Sequence, residues 1–279
     1  MGGPPLLEVE GLDVTFTSGR APMRAVRDVC FTLGRERLGI VGESGSGKST
    51  TGRALLGLLP RSARVEAKRL RFDGIDLAGL DERGWRELRG RRMSMVMQDP
   101  KFSLNPVIKV GKQIIETLRL HKRIAGAEAK RQALTMLEAV RIRDPERVFE
   151  LHPHQLSGGM GQRVMIAAML IGEPDLLIAD EPTSALDVTV QNQVLRILDD
   201  LVAARGMGLI FISHNLTAIA SFCDRVLVMY GGRVLEELPA RDLARAKHAY
   251  TQALIACAPD LDRPRGELAV VARDPSWTQ

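Results

Sequence analysis

Between Gly42 and Ser49 the chain reads Gly-Glu-Ser-Gly-Ser-Gly-Lys-Ser, which fits G-x-x-x-x-G-K-[ST] at every fixed position. Gly42, Gly45 and Gly47 carry no Cβ, so the backbone can turn tightly and bring its N–H groups against an anion. Glu43, Ser44, Ser46 and Thr50 complete the candidate nucleotide-binding set. Lys48 puts a cation on the outer phosphates of a nucleotide, and Ser49 offers a hydroxyl to a magnesium ion. A Gly/Ser-rich surface turn that happens to hold a lysine is the plainer alternative. The flanks argue against it: Leu38–Val41 reads as a short buried strand, and Thr50–Leu59 as a helix whose positive N-terminal end faces the phosphates. The spacing therefore predicts binding of a nucleoside triphosphate with Mg2+.

A second group of reactive residues stands far along the chain. Leu176-Leu177-Ile178-Ala179 is an apolar run of the buried parallel-strand kind, and it ends in Asp180-Glu181. In a phosphate-loop protein an acid at this place completes the magnesium site, so Asp180 is a candidate metal ligand. Glu181 is placed to orient or activate an attacking water, as a general base would, unless it only opens a helix before Pro182. Upstream lies Leu156-Ser157-Gly158-Gly159-Met160. Ser157 can cap the following helix, and Gly158 and Gly159 let backbone N–H groups approach an anion closely. One nucleotide cannot easily use two such loops from one small chain. The spacing points instead to a dimer in which this loop faces the other subunit's nucleotide.

The elements that must position these groups follow from periodicity. Leu7–Phe16 and Ala25–Leu33 read as strands. Leu70–Phe72 and Met93–Met97 are shorter strands, and Asp81 caps a polar helix that runs through Leu88. From about Val110 to Leu170 the pattern is helical, over Val110–Leu120, Gly126–Val140 and Gly158–Leu170. Then come Leu176–Ala179, a helix over Val188–Ala203, a strand at Leu209–Ile212 and a short helix over Asn215–Ala220. A hairpin turns at Tyr230-Gly231-Gly232, and a last helix spans His248–Cys257. The expected fold class is α/β, a phosphate-loop NTPase core with an antiparallel β subdomain and an inserted helical subdomain at about 99–170. The expected ATP-binding domain covers 1–257, and the polar, Pro-containing segment 258–279 is expected to be a disordered tail.

Composition narrows the partners. The 279 residues carry a net charge of +5, with 45% hydrophobic and 26% charged residues, as in an ordinary soluble protein. That mild excess admits an anionic surface or a nucleotide without choosing between them. The arginines at 61–71 and at Arg86, Arg89, Arg91 and Arg92 read as solvated faces. Cys30, Cys223 and Cys257 form no C-x-x-C pair, so neither a zinc ribbon nor a disulfide framework is expected, and a reducing compartment fits. No secretory signal pattern or bilayer-length apolar run is seen, and Leu6 stands where an N-acylation signal wants Ser or Thr. If the protein works at a membrane, other chains must supply the membrane. His152 and His154 invite a metal reading, but Pro153 between them favours a structural loop.

The order of these motifs, with Gln98, Ser184-Ala185-Leu186-Asp187 and His214, resembles the ATP-binding subunit of an ABC transporter from about Leu7 to Leu254. The resemblance implies that Gln98 senses magnesium and moves with the helical subdomain, and that Asp187 bridges two active sites. It implies that His214 contacts the γ-phosphate, and that Phe16 stacks on adenine, a position that equally suits a core strand residue. Val41–Ser49, Gln98-Asp99-Pro100, Ser103-Leu104-Asn105-Pro106, His152–Met160, Ile178–Thr183 and His248–Leu254 are similar to the oligopeptide/dipeptide/nickel importer group. What that implies is an ATPase powering import of di- or oligopeptides at the cytoplasmic face of the inner membrane. Its implied partners are a second, related ATP-binding subunit (or a second copy of this chain), two integral membrane permeases and an extracytoplasmic binding protein, with no nucleic acid. A nickel or metal-chelate importer is the alternative. Asn215 stands where the family usually has Asp, and no cysteine cluster follows Leu254, which removes the expectation of an iron–sulfur site and weakens the dipeptide assignment. A DNA-repair or chromosome ATPase shares the phosphate loop, but coiled-coil heptads and C-x-x-C pairs are both missing here.

Overall fold

The computed structural model describes residues 4–18, 21–184, 186–257 and Trp277, without the side chains of Lys101 and Phe102. In chain order the elements begin with β1 (Leu7–Phe16), β2 (Met23–Leu33), β3 (Arg37–Val41), α1 (Lys48–Leu55), β4 (Ala63–Glu66), β5 (Arg69–Phe72) and β6 (Ile75–Asp76). Next come α2 (Glu82–Leu88), β7 (Met93–Val96), α3 (Pro100–Ser103), α4 (Val110–Arg119), α5 (Gly126–Ala139), α6 (Pro145–Glu150) and α7 (Gly158–Leu170). The chain continues with β8 (Leu176–Asp180), α8 (Val188–Arg205), β9 (Gly208–Ile212), α9 (Leu216–Phe222), β10 (Arg225–Tyr230), β11 (Arg233–Pro239) and α10 (Ala249–Cys257). They fall into two compact units, Met1–Leu80 with Ile210–Gln279, and Asp81–Leu209. The fold class is α/β, with an antiparallel sheet and mixed strand pairing, as expected from the sequence.

The first unit holds an antiparallel sheet in the order β2-β1-β5-β6, with β4 also paired to β1. Alternation in β1 sends Leu7, Val9, Leu12 and Val14 inward, all nearly or fully buried. Gly11, at φ 61°, sits where the β1–β2 register shifts, so a bulge resets which residues face the core. Beside this sheet, β3 pairs in parallel with β10, which turns antiparallel into β11, and β9 lies on the other side of β3. The run Leu38–Val41 is buried throughout, as a strand covered on both faces requires.

In the second unit β7 and β8 are parallel, from Met93 opposite Leu176 to Val96 opposite Ala179. Both are entirely buried. The helices pack through the stripes the period predicts: Val110, Ile114 and Leu118 on α4, and Ala129, Ala133, Met136 and Leu137 on α5. At Gly111 an added Cβ would stand 2.2 Å from the Phe149 ring, so α4 and α6 approach through a position only glycine suits. Helix α7 is apolar nearly all round, and eight of its residues are buried.

Several sequence-based expectations need correction. The helix read as Thr50–Leu59 begins at Lys48 and stops at Leu55. Gly57 in the left-handed region donates to Ala54 O and turns the chain away, leaving Leu58 exposed. β4, α3 and α6 were not expected. β4 is charged and largely exposed, so no apolar alternation marks it. α6 did carry a signal, Asp144 capping through Arg147 N with Pro145 in the first turn. Arg92 is no solvated side chain: its Nε pairs with Asp175 Oδ2 at 2.7 Å, both groups half-buried. The disordered tail expected over 258–279 lies outside the described residues except for Trp277.

Candidate functional site

The first unit positions the phosphate loop between β3 and α1. A Cβ on Gly42, at φ 150°, would lie 2.0 Å from Met229 O, and a Cβ on Gly47, at φ 99°, would lie 2.5 Å from Ala25 O. Both glycines are therefore demanded by close backbone approach as well as by conformation. Gly47 is also the residue before α1, and no side chain caps that helix start. The first-turn N–H groups are thereby kept for a ligand rather than for a side-chain oxygen. Ser46 and Lys48 are buried, whereas Ser44 and Gly45 are exposed. Lys48 Nζ is folded into the loop, 2.7 Å from Gly42 O, 2.8 Å from Glu43 O and 3.3 Å from Ser46 Oγ. An ammonium held in the loop by two backbone carbonyls and a hydroxyl fits a phosphate-binding cradle. Ser49 and Thr50 follow, half-buried, at the start of α1. In the same unit Phe16 is half-buried at the end of β1, opposite Met23 and Ala63. His214 is exposed between β9 and α9, and the next residue, Asn215, caps α9 through Ala218 N at 3.0 Å.

The second unit holds the remaining candidates. Asp180 ends the buried strand β8 and is itself only 4% exposed. Glu181 follows, half-buried, with φ 48°, a left-handed conformation that non-glycine residues seldom adopt. Ser184 N and Oγ both donate to Glu181 O, so the chain turns sharply here and no helix begins at Pro182. Glu181 is thus not a helix-opening acid. Asp187 is exposed and caps α8 by accepting from Val190 N at 3.0 Å. Gln98 is exposed in the bend after β7. Ser157 Oγ accepts from Met160 N at 3.4 Å, so the hydroxyl caps α7 with a long bond. Around Gly158 the described residues beyond its own helix turn leave open space for an added Cβ, whereas at Gly159 such an atom would stand 2.6 Å from Val190 Cγ1. The magnesium expectation is chemically consistent with this donor set: hard oxygen ligands with few protein carboxylates suit an ion that keeps waters and phosphate oxygens.

Two residues that shape the loop lie in stretches noted in the sequence, His248–Leu254 and the Tyr230-Gly231-Gly232 turn, but nothing local tied them to the loop. Tyr250 Oη accepts from Glu43 N at 3.0 Å across 207 positions, and Gly232 N donates to Ser46 O at 3.1 Å. His152 and His154 stack with ring centroids 5.6 Å apart, and Gln155 Oε1 accepts from His152 N, as in a self-bonded loop. Burial pushes the Cys223 thiol up to about 12, so it is no nucleophile near neutral pH. Among the described residues no helix is long and apolar enough to cross a membrane.

Residues 26–184 match the family described as ABC transporter. The chain is similar to a probable peptide ABC transporter ATP-binding protein of Sinorhizobium fredii, at 48% identity over 263 residues, 93% of this chain and 78% of that one. It is also similar to the oligopeptide transport ATP-binding protein OppD of Salmonella typhimurium, at 45% identity over 97% of this chain and 81% of the other. Among solved structures, a dimeric ATP-binding cassette in a post-hydrolysis state with ADP and phosphate superposes with a TM-score of 0.74 at 27% identity, over 84% of this chain and 99% of that one.

Proposed function

The chain belongs to the ATP-binding proteins of ABC transporters, and from that premise we propose that it is the ATPase subunit of a peptide importer. ATP binding and hydrolysis go with the family. The observation that carries the reading is the phosphate loop, with Gly47 opening α1 without a side-chain cap and Lys48 drawn into the cradle. Peptide cargo is supported by the names of two relatives that match nearly the whole chain. A nickel or metal-chelate cargo is the alternative.

Each candidate residue has a proposed role. Gly42, Glu43, Ser44, Gly45, Ser46, Gly47, Lys48 and Thr50 bind the phosphates, and Phe16 stacks on adenine. Ser49, Gln98 and Asp180 would hold magnesium. That ion, when bound, neutralises charge on the β- and γ-phosphate oxygens. Glu181 accepts a proton from the attacking water, and its turn after β8 sets the direction in which its side chain leaves the backbone. His214 contacts the γ-phosphate. Ser157, Gly158 and Gly159 receive the nucleotide held by a partner ATPase, and Asp187 links the two sites. The ATP-binding domain would span 1–257, with the helical subdomain at about 99–170. The remaining proposed partners are two membrane permeases and an extracytoplasmic binding protein, which place this subunit peripherally on the cytoplasmic face of the inner membrane.

The test is Glu181→Gln. It should keep ATP affinity within about twofold while turnover falls roughly a hundredfold, in the range that removal of a general base produces. Wild-type turnover by this variant would remove Glu181 from the chemistry. Pull-down from detergent-solubilised membranes tests the partners: two permeases and a second ATPase support the importer, and recovery with nucleic acid alone overturns it.

A further inference from the structure

The phosphate loop is held from outside by a residue near the end of the chain. Tyr250, on α10, is completely buried, yet its phenolic oxygen reaches Glu43 N at 3.0 Å. A buried phenol needs a polar partner, and this one has found a backbone donor of the loop itself. The ring is packed against Tyr230, with centroids 4.6 Å apart, and Tyr230 ends the strand whose neighbour Met229 presents its carbonyl to Gly42. Trp277 closes the group, 5.4 Å from Tyr250 and 5.6 Å from Tyr230, the latter edge-to-face at 85°. These separations are those at which aromatic pairs attract beyond simple burial.

The start of α10 is fixed in turn. Glu236 on β11 accepts from Lys247 N at 2.7 Å and from His248 N at 3.2 Å, and His248 Nδ1 accepts from Tyr250 N at 3.1 Å. Strand β11 thus sets the helix, the helix sets Tyr250, and Tyr250 sets the peptide of Glu43. We propose that Tyr250 is a positioning residue for the nucleotide-binding loop and that Trp277 holds it in place by ring packing. Lys48 has its own bonds to Gly42 O and Glu43 O in this loop. When the ammonium turns toward phosphate it loosens its hold on the Glu43 peptide, and the Tyr250 bond keeps that peptide from following. The proposal rests on the reading of Gly42–Ser49 as the ATP site.

The experiment compares the full chain with Tyr250→Phe, Trp277→Ala and Trp277→Phe in ATP binding and in steady-state hydrolysis. Tyr250→Phe keeps the ring and removes only the hydroxyl. It should raise KM and Kd for ATP about five- to tenfold, with kcat within about twofold, the scale of one lost hydrogen bond. Trp277→Ala should raise KM about threefold, and Trp277→Phe should restore most of it, because ring packing rather than an indole bond is at work. KM for Tyr250→Phe within about 1.5-fold of the parent, or failure of Trp277→Phe to recover what Trp277→Ala loses, overturns the proposal. A parent chain that does not bind ATP would instead overturn the ATP reading, so the two failures are distinct.

Discussion

Two helix starts in this molecule carry glycines where an anion is expected, and they are built in opposite ways. At α1 the glycine precedes the helix in the left-handed region, no side chain caps the turn, and the space a Cβ would take is filled by Ala25 O. At α7 a serine caps the turn, and the glycines stand inside the helix. One of those glycines is pressed against Val190, while the other has open space around it. The first start is committed by its own backbone, which is what a loop that grips a phosphate from several sides needs. The second is closed by its own hydroxyl, through a bond of 3.4 Å, and leaves one glycine with open space beside it among the described residues. That difference fits the proposed division of labour, in which one loop holds this chain's nucleotide and the other meets a partner's.

The largest expected effect is at the first start. Gly47→Ala must resolve a Cβ 2.5 Å from a backbone oxygen and an unfavourable φ of 99° together. ATP affinity should fall roughly a hundredfold or more, the equivalent of about 3 kcal/mol of strain and lost geometry. Calorimetric titration measures it, and an unchanged affinity would mean the loop is not the gripping element. At the second start, Gly159→Ala should lower stability by about 1–2 kcal/mol through crowding against a stiff Val190. This is read as a fall of a few degrees in the thermal midpoint, with no change in ATP affinity. Ser157→Ala should cost less, about 1 kcal/mol or below, since the bond it removes is long. A loss of ATP affinity in either of these two variants would erase the distinction between the two starts.

The two regions also differ in how far the sequence exposes them. The bounds of α7 follow directly from Ser157 and the apolar run behind it, and β8 is legible from the continuous apolar run Leu176–Ala179 that the fold then buries. The phosphate loop is legible from spacing alone. The end of α1 is not, because Leu58 and Leu59 look like helix continuation and only the backbone of Gly57 shows the turn. β4 escapes notice because its partner β1 supplies the pairing while its own side chains face solvent. Tyr250 escapes for a different reason. Its bond to the loop joins residues 207 positions apart, and no local pattern encodes a contact of that range. The left-handed turn at Glu181 is likewise a property of the folded strand end, invisible in Asp-Glu-Pro as letters.

The most direct test of the comparison is Gly158→Ala, measured for ATP affinity, thermal stability and turnover per chain at protein concentrations high enough for subunits to associate. With open space around the new methyl, stability should hold or rise by up to about 1 kcal/mol, as alanine is the better helix former. Affinity for ATP should stay within about twofold, while turnover drops at least tenfold because the methyl stands where a partner's nucleotide must approach. Turnover equal to the parent's would contradict the account, and so would an affinity that falls in step with the rate.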